Sequence, residues 1–430
     1  MHLGDSVGIK REMATLPSVR LSLGDRLLLG VGQAAGPVAI HYVLELDAGL
    51  EAEPLAAALA DLLLDYPILA TRVRTGSLGH RRRQAPTTVE LIFHADHDAE
   101  REAAFIRRPW DLAAEPPLRV LVQHQAGHAR LVAGVAHVAA DALGSFLALD
   151  RLARRYTTRN QGATPEPALA EEAFRSFRPL LQGFRPGKLP VEALGGGPWA
   201  TFMDAPLPCP EGTFRWLEQS WAPAEVSALR RWAKARDATL TELLVAGLVT
   251  QGLALWPARD PVLVRLPVNL RERREGVANV VGEDQLGLDP ASCGDLAATL
   301  AAVRRARPAE GARRRALTAL STLAPMAWLP PAAFRLGFRK ALRRPRNHMM
   351  SFGLSNAGDL GELAAFGGAN VVQAGFIGQV SAPPGLFAWA ATTQGRLTLV
   401  LGYRDPATAP ARARALLDAL VADFAAVEAP

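Results

Sequence analysis

A histidine and an aspartate stand four residues apart in the segment Val135–Gly144, directly after an alternating apolar strand and before an apolar helical run. His137 would lie at the elbow between strand and helix, where an imidazole can point into a cleft. A histidine that is neutral near pH 7 is well matched to take a proton from a hydroxyl, amine or thiol. The pattern therefore indicates a general base at His137, with Asp141 as the anchor of its loop.

The spacing alone leaves a structural interpretation open. A single histidine at a strand end is often a packed or solvent-facing residue, and two polar residues four apart occur by chance in many chains. The surrounding elements have to decide between the two interpretations.

The sequence on both sides of His137 predicts alternating strands and helices. Before His137, residues 118–124 and 129–136 predict a hairpin, and residues 143–156 after it predict a helix. In the first half we also predict strands at 39–46, 68–74 and 88–94, helices at 53–65 and 99–107, and a polar, Arg-rich break at 75–85. In the second half we predict helices at 223–236, 239–256, 294–306, 310–344 (interrupted) and 409–425, and strands at 213–221, 262–269, 350–355, 369–376, 386–392 and 396–403.

The intermixed pattern predicts an α+β fold. Pro- and Gly-rich sequence from about residue 158 to 212 has the composition of a connection. We therefore predict an N-terminal lobe at 1–175 that carries the His137 motif, an inter-lobe linker at 176–212, and a C-terminal lobe at 213–430.

Bulk properties exclude several classes of protein. The chain has 430 residues, 49% of them hydrophobic and 21% charged, which is typical of a soluble globular protein. Cys209 and Cys293 are isolated, so no disulfide framework or zinc site is indicated, and a cytoplasmic location is expected. A net charge of +6 is too small to indicate nucleic-acid binding. Neither a signal peptide nor a membrane span is predicted.

Several segments resemble landmarks of the chloramphenicol-acetyltransferase-like superfamily, which includes condensation domains and alcohol or wax-ester acyltransferases. Residues 136–142 are similar to its H-H-x-x-x-D-G signature, with Ala136 in place of the first His and Ala142 in place of the Gly. Further similar segments follow the family's order: 21–25, 66–72, 109–119, 267–282 and 355–356. The loss of two signature residues argues against the amino-acid-condensing subfamily.

The resemblance implies two lobes, each a mixed sheet flanked by helices, around a central tunnel. It implies that His137 activates a hydroxyl or amine acceptor for attack on the thioester of an acyl-CoA or an acyl carrier protein. Asp141 would have a structural role in a salt bridge. The donor carries its own phosphopantetheine, so no other cofactor is expected, and two-lobed members imply a monomer.

Five further residues could support this site. A buried Asp141 needs a cation, for which Arg265 is the first choice and Arg271 the second, and Asn279 would fix a loop near the cleft. Ser355 or Asn356 could donate to the developing oxyanion or could simply hold a turn.

The basic stretch 304–346, with twelve cations and one carboxylate, admits several roles. It could bind the phosphates of coenzyme A, the acidic face of a carrier protein, or nothing, as a solvated helical face. Residues 326–334 beside Arg335, Arg339 and Lys340 could also bring the chain to a membrane surface.

Two other functions remain open from the sequence. One is a catalytically silent relative that binds a carrier protein or another partner, which the eroded signature motivates. The other is a chloramphenicol-type resistance enzyme, which the chain length disfavours.

Overall fold

The computed structural model describes residues 6–10, 19–35, 38–76, 79–84, 88–163, 178–185, 199–205, 212–272, 276–307, 311–325, 329–342, 350–361, 363–378 and 385–427.

Strands and helices alternate along the whole described chain. The strands are β1 Ser6–Lys10, β2 Val19–Arg20, β3 Ala39–Leu46, β4 Thr71–Gly76, β5 Gly79–Gln84, β6 Thr88–His94, β7 Leu118–Gln125, β8 His128–Ala136, β9 Thr213–Trp221, β10 Val262–Asn269, β11 Val281–Leu288, β12 Phe352–Gly361, β13 Val371–Gly378, β14 Leu386–Thr393 and β15 Arg396–Asp405. The helices are α1 Leu23–Ala35, α2 Ala52–Asp65, α3 Ala99–Arg107, α4 Ala142–Asn160, α5 Arg178–Leu181, α6 Pro223–Lys234, α7 Leu240–Leu255, α8 Leu296–Ala306, α9 Ala312–Leu323, α10 Pro331–Leu342 and α11 Pro410–Ala425.

The first sheet has the strand order β1-β6-β7-β8-β3-β13. The hairpin β7–β8 and the pairing of β8 with β3 are antiparallel, whereas β6 and β7 run parallel. Strand β13 comes from the second half of the chain, yet it pairs with β3 along most of its length. The two sheets therefore do not divide the chain at a single point.

The second sheet has the order β11-β10-β12-β14-β15-β9, with parallel pairs on both sides of β12. Helix α7 is mostly apolar and is buried continuously over residues 242–249, as expected for a helix enclosed by other elements. Helices α6, α8 and α11 contribute to the same core. A small third sheet, β2-β5-β4, completes the described strands.

The two large sheets meet through a shared core. The core cluster that contains α2, α4 and the first sheet also contains Phe214, Trp389 and Val400 from the second sheet. Gly375 on β13 lies so close to β15 that an added Cβ would come within 3.1 Å of Thr398. A glycine at this place allows the sheets to approach each other closely.

The architecture confirms the predicted α+β class with two mixed sheets. The Arg-rich break predicted at 75–85 is wrong in part, because residues 79–84 form β5 and pair with β4. Strand β11 was also not expected; it alternates buried and exposed residues, but two glycines and three charged or amide residues lower its apparent strand propensity.

The predicted linker at 176–212 is described only at 178–185, 199–205 and 212. Within it, Ala200 and Phe202 are buried in the core of the second sheet. No helix among the described residues has the length and apolar character that crossing a bilayer requires.

Candidate active site

His137 lies one residue after the end of β8, in the middle of the first sheet. Its backbone N–H donates to Val38 O at 2.9 Å, which continues the β8–β3 pairing by one step. Its side chain is half-buried, whereas the three residues before it, 134–136, and the three residues after it, 138–140, are all buried. The fold thus leaves one polar ring partly open within an otherwise closed segment.

Asn279 determines which ring nitrogen of His137 carries the hydrogen. Its Nδ2 donates to the carbonyl of His137 at 2.8 Å and to Asp25 Oδ1 at 3.0 Å, and both of these partners are acceptors. The amide oxygen must therefore face the ring, and it lies 3.1 Å from His137 Nδ1. Because an amide oxygen only accepts, Nδ1 carries the hydrogen and Nε2 of the neutral ring keeps its lone pair.

Asp25 links this arrangement to the start of α1. Its Oδ2 accepts from Ser22 N at 3.1 Å and its own N–H donates to Ser22 Oγ at 3.2 Å, a reciprocal capping arrangement. The carboxylate is 1% exposed. The start of α1 therefore supports, through Asp25 and Asn279, the tautomer of the His137 ring.

Asp141 is the N-cap of α4 and anchors the loop that follows His137. Its Oδ1 accepts from Gly144 N at 2.8 Å, and its Oδ2 accepts from Val280 N at 2.8 Å. Its own N–H donates to Ala278 O at 3.1 Å. These bonds fasten the histidine loop to residues 278–280, which also carry Asn279.

The cation that pairs with Asp141 is Arg271, the second choice from the sequence. Arg271 Nη1 lies 2.7 Å from Asp141 Oδ2, and both side chains are less than a tenth exposed. The first choice, Arg265, was wrong, since it pairs with Glu283 at 3.1 Å across β10 and β11. Arg265 sits mid-strand, whereas Arg271 lies beyond the strand end, in the turn that approaches α4.

Gly144 permits this close approach. An added Cβ at Gly144 would lie 2.9 Å from Ala278 O and 3.0 Å from Ala278 N. Tyr42 on β3 adds a further restraint, because its hydroxyl donates to Ala142 O at 2.8 Å. A side chain at position 144 would push α4 away from the loop that holds Asn279.

The two oxyanion candidates lie on opposite faces of β12. Asn356 Nδ2 donates to Thr241 Oγ1 at 2.9 Å, and Asn356 Oδ1 accepts from Gly358 N at 2.9 Å. Its amide is therefore engaged with α7 beside the second sheet and is not brought to His137 by any described contact. Ser355 faces the other way, is half-buried, and is in register with Trp389 on β14.

A second histidine of the first sheet has a very different environment. His41 on β3 is 0% exposed and lies between the edge of Phe105 and the ring of Trp110. Burial, together with the nearby cation of Arg119, lowers the pKa of His41 from 6.5 to about 3. Arg119 is itself buried over Trp110, and burial lowers its pKa to about 9.

The cations of the basic stretch 304–346 have different environments in the structure. Arg307 and Arg315 both pair with the buried carboxylate of Asp284, and Arg304 pairs with Asp237. Arg313 and Arg314 are exposed, and within the described part of the chain neither forms an ion pair. Residues 343–349, which hold the last cations, lie outside the described residues.

Sequence reasoning missed Asp25 as a member of the site. The segment 21–25 was noted only as an N-terminal landmark, although Ser22 and Asp25 three residues apart are a recognisable capping signal. That signal predicts where α1 begins. It does not predict that the same carboxylate reaches Asn279, which is 254 residues away in the chain.

The two mixed sheets and their helices have the two-lobed chloramphenicol-acetyltransferase-like fold, the fold of condensation domains. Protein-family models and curated protein sequences gave no match to this chain.

Solved structures of this fold match nearly the whole chain. Polyketide synthase associated protein 5 from Mycobacterium tuberculosis aligns with a TM-score of 0.66 and 18% identity over 95% of this chain and 97% of its own. The epimerization domain from the third module of tyrocidine synthetase B gives 0.69 and 13% over 97% and 98%. A mutant of the starter condensation domain of rhizomide synthetase, solved with C8-CoA, gives 0.68 and 16% over 96% and 95%. At these identities the likeness establishes the fold.

Proposed function

We propose that the chain is an acyltransferase that moves an acyl group from an acyl-CoA or acyl-carrier-protein thioester to a hydroxyl or amine acceptor. His137 is the general base of this reaction, and Asp141, Arg271 and Asn279 hold it in place. Secondary metabolism and lipid modification are the settings that use this chemistry on a fold of this kind.

The observation that carries the proposal is the hydrogen bond from His137 Nδ1 to Asn279 Oδ1. It leaves Nε2 as the basic nitrogen on a half-buried ring, and Nε2 has no hydrogen-bond partner among the described residues. A general base needs this combination of a fixed tautomer and an open lone pair. A histidine that only fills space needs neither.

The reaction balances with the groups that are present. Nε2 takes the proton of the acceptor O–H or N–H, while the acceptor oxygen or nitrogen forms a bond to the thioester carbon. The tetrahedral intermediate then expels the thiolate, which recovers the proton from the imidazolium. The products are an ester or amide and a free thiol, and Asn279 Oδ1 accepts from Nδ1–H throughout.

Support for a thioester donor comes from the comparisons. A single mutant of the starter condensation domain of similar fold was solved with C8-CoA, and a double mutant was solved with C8-CoA and Leu-SNAC. The hydroxyl of Ser355 is our proposed donor to the oxyanion, because the amide of Asn356 is already engaged.

The test is release of free thiol from a panel of acyl-CoAs and acyl carrier proteins, in the presence of mixed alcohols and amines. We expect acceptor-dependent release by the wild type and background release by His137→Ala, with both proteins folded by circular dichroism. Equal background release from both proteins across the panel would favour the silent binding protein, a relative that keeps the fold without the chemistry.

A further inference from the structure

Helix α10 presents large apolar side chains to solvent. Among the described residues, three large hydrophobic side chains are exposed: Leu336 at 71%, Val372 at 49% and Leu329 at 41%. Two of the three belong to α10 and the turn before it. On the helix, Leu336 stands between Ala332 and Lys340 at intervals of four residues, so all three share one outward face. We define the α10 face as six exposed residues: Leu329, Ala332, Ala333, Arg335, Leu336 and Lys340.

The charge around this face has one sign. Arg335 and Lys340 flank Leu336, and neither has an ion-pair partner in the part of the chain that the structure describes. The sequence from 311 to 350 contains no aspartate or glutamate, although it contains nine arginines and lysines. With no ion pair to a described residue and no acidic residue in this part of the sequence, these cations make the α10 face positive.

The inner side of α10 is tightly fixed to α1. Phe334 is 7% exposed and lies directly over Gly30, where an added Cβ would come within 1.8 Å of its ring. Arg26 on α1 also donates to Leu329 O at 3.2 Å. The leucines of the α10 face are therefore held outward by a well-packed helix pair.

We propose that the α10 face binds the surface of an anionic lipid bilayer, with Leu336 and Leu329 inserted among the acyl chains and Arg335 and Lys340 on the headgroup phosphates. A rigid helix with protruding leucines and flanking cations is the arrangement found in proteins that lie on membranes without crossing them. Nucleic acid would engage the cations but would leave the leucines in water. Helix α1 packs against α10 and also carries Asp25. A lipid surface bound at the α10 face would therefore lie on the same helix pair that supports His137.

The experiment is co-sedimentation of the full chain with vesicles of phosphatidylcholine alone or mixed with phosphatidylglycerol. We expect binding to the mixed vesicles only, weakened by salt. Leu336→Asp should weaken binding by about tenfold or more, because it removes the inserted side chain and adds a repelled charge. Arg335→Glu should weaken it by about tenfold through charge alone.

Val372→Asp is the matched control, because Val372 is a comparably exposed apolar residue on β13, away from α10. It should bind like the wild type. The proposal is overturned if no vesicle binds, if Leu336→Asp binds as well as Val372→Asp, or if the α10 face instead retains an acidic carrier protein in place of vesicles. Binding is measured without turnover, so it is independent of whether the proposed acyl transfer occurs.

Discussion

Two histidines of the first sheet, His41 and His137, show how one residue type is used in two opposite ways. His41 lies within β3 and is sealed between aromatic rings next to a buried arginine, so its ring stays uncharged until strongly acidic pH. His137 lies just beyond the end of β8, half-buried, with one nitrogen held by Asn279 and the other open. They are separated by a short distance in the sheet, because His41 pairs with Gly134, three residues before His137.

The difference lies in what the neighbouring residues provide. Gly134 leaves just enough room for the His41 ring, since an added Cβ would come within 2.8 Å of it. His137 instead receives polar partners from a loop that Asp141 and Arg271 fix. A histidine becomes a candidate base through an acceptor on one nitrogen and access to the other.

The largest contrast should appear in the rate of acyl transfer. His137→Ala should lower kcat by about a thousandfold, the range that a lost general base commonly costs. His41→Leu, which replaces a packed ring with an apolar side chain, should leave kcat within a few fold. The measurement is steady-state thiol release with the donor and acceptor that the wild type uses best. A His41→Leu enzyme as inactive as His137→Ala would remove the distinction between the two histidines.

The next contrast concerns the two arginines. Arg271→Met leaves Asp141 buried without its cation and should reduce the free energy of unfolding by about 3–5 kcal/mol. Arg265→Met breaks a pair whose acidic partner is 53% exposed, so it should cost less than about 1 kcal/mol. Urea unfolding of both variants measures the difference. Equal losses would show that the Asp141–Arg271 pair is no more important than a surface contact.

A third prediction tests the tautomer. A wrong tautomer can cost up to about 10⁴ in rate in a serine-protease triad. His137 is more open, so Asn279→Ala should lower kcat by roughly a hundredfold, and Asp25→Ala, which leaves Asn279 its bond to the His137 carbonyl, by roughly tenfold. The double variant should be no slower than Asn279→Ala, because Asp25 acts through Asn279.

The ¹⁵N chemical shifts of the His137 ring provide the decisive readout for that prediction. They report directly which nitrogen carries the hydrogen, which neither kcat nor the free energy of unfolding reports. The Nδ1–H form should dominate in the wild type and lose its dominance in Asn279→Ala. Unchanged shifts would mean that Asn279 does not set the tautomer.

Much of the fold could be predicted because its signals are local. The hairpin around residues 125–128, the capping box at Thr239 and the apolar strand at 262–269 each depend on neighbours in sequence, and the structure has all three elements. Strand β13 could be predicted as a strand but not as a member of the first sheet. Its partner β3 lies more than 300 residues earlier, and strand pairing over such distances leaves no local pattern.

The site shows the same division. The histidine and aspartate are close in sequence, so their spacing pointed to them. The choice between Arg265 and Arg271 depended on the path of the turn after β10, and an apolar strand around an arginine favoured the wrong residue. Asp25 could not be connected with Asn279, because that contact depends on how α1 lies against the loop.

The smallest contrast is one of pH. Burial lowers the pKa of His41 from 6.5 to about 3. Below pH 6.5 the unfolded chain therefore binds a proton at this ring, whereas the folded chain does not bind it until the pH approaches 3. The free energy of unfolding therefore falls as the pH falls from 6.5 towards 3, by about 2 kcal/mol at pH 5. His41→Leu should abolish this part of the slope.

Other groups also make the free energy of unfolding depend on pH. Burial raises the pKa of Glu218, whose contribution has the opposite sign, and burial lowers the pKa of His124. Both groups are present in each protein, so their contributions cancel in the difference. Urea unfolding of the wild type and of His41→Leu at pH 7 and pH 5 measures that difference, and parallel losses in the two proteins would show that the His41 ring is not sealed from protons.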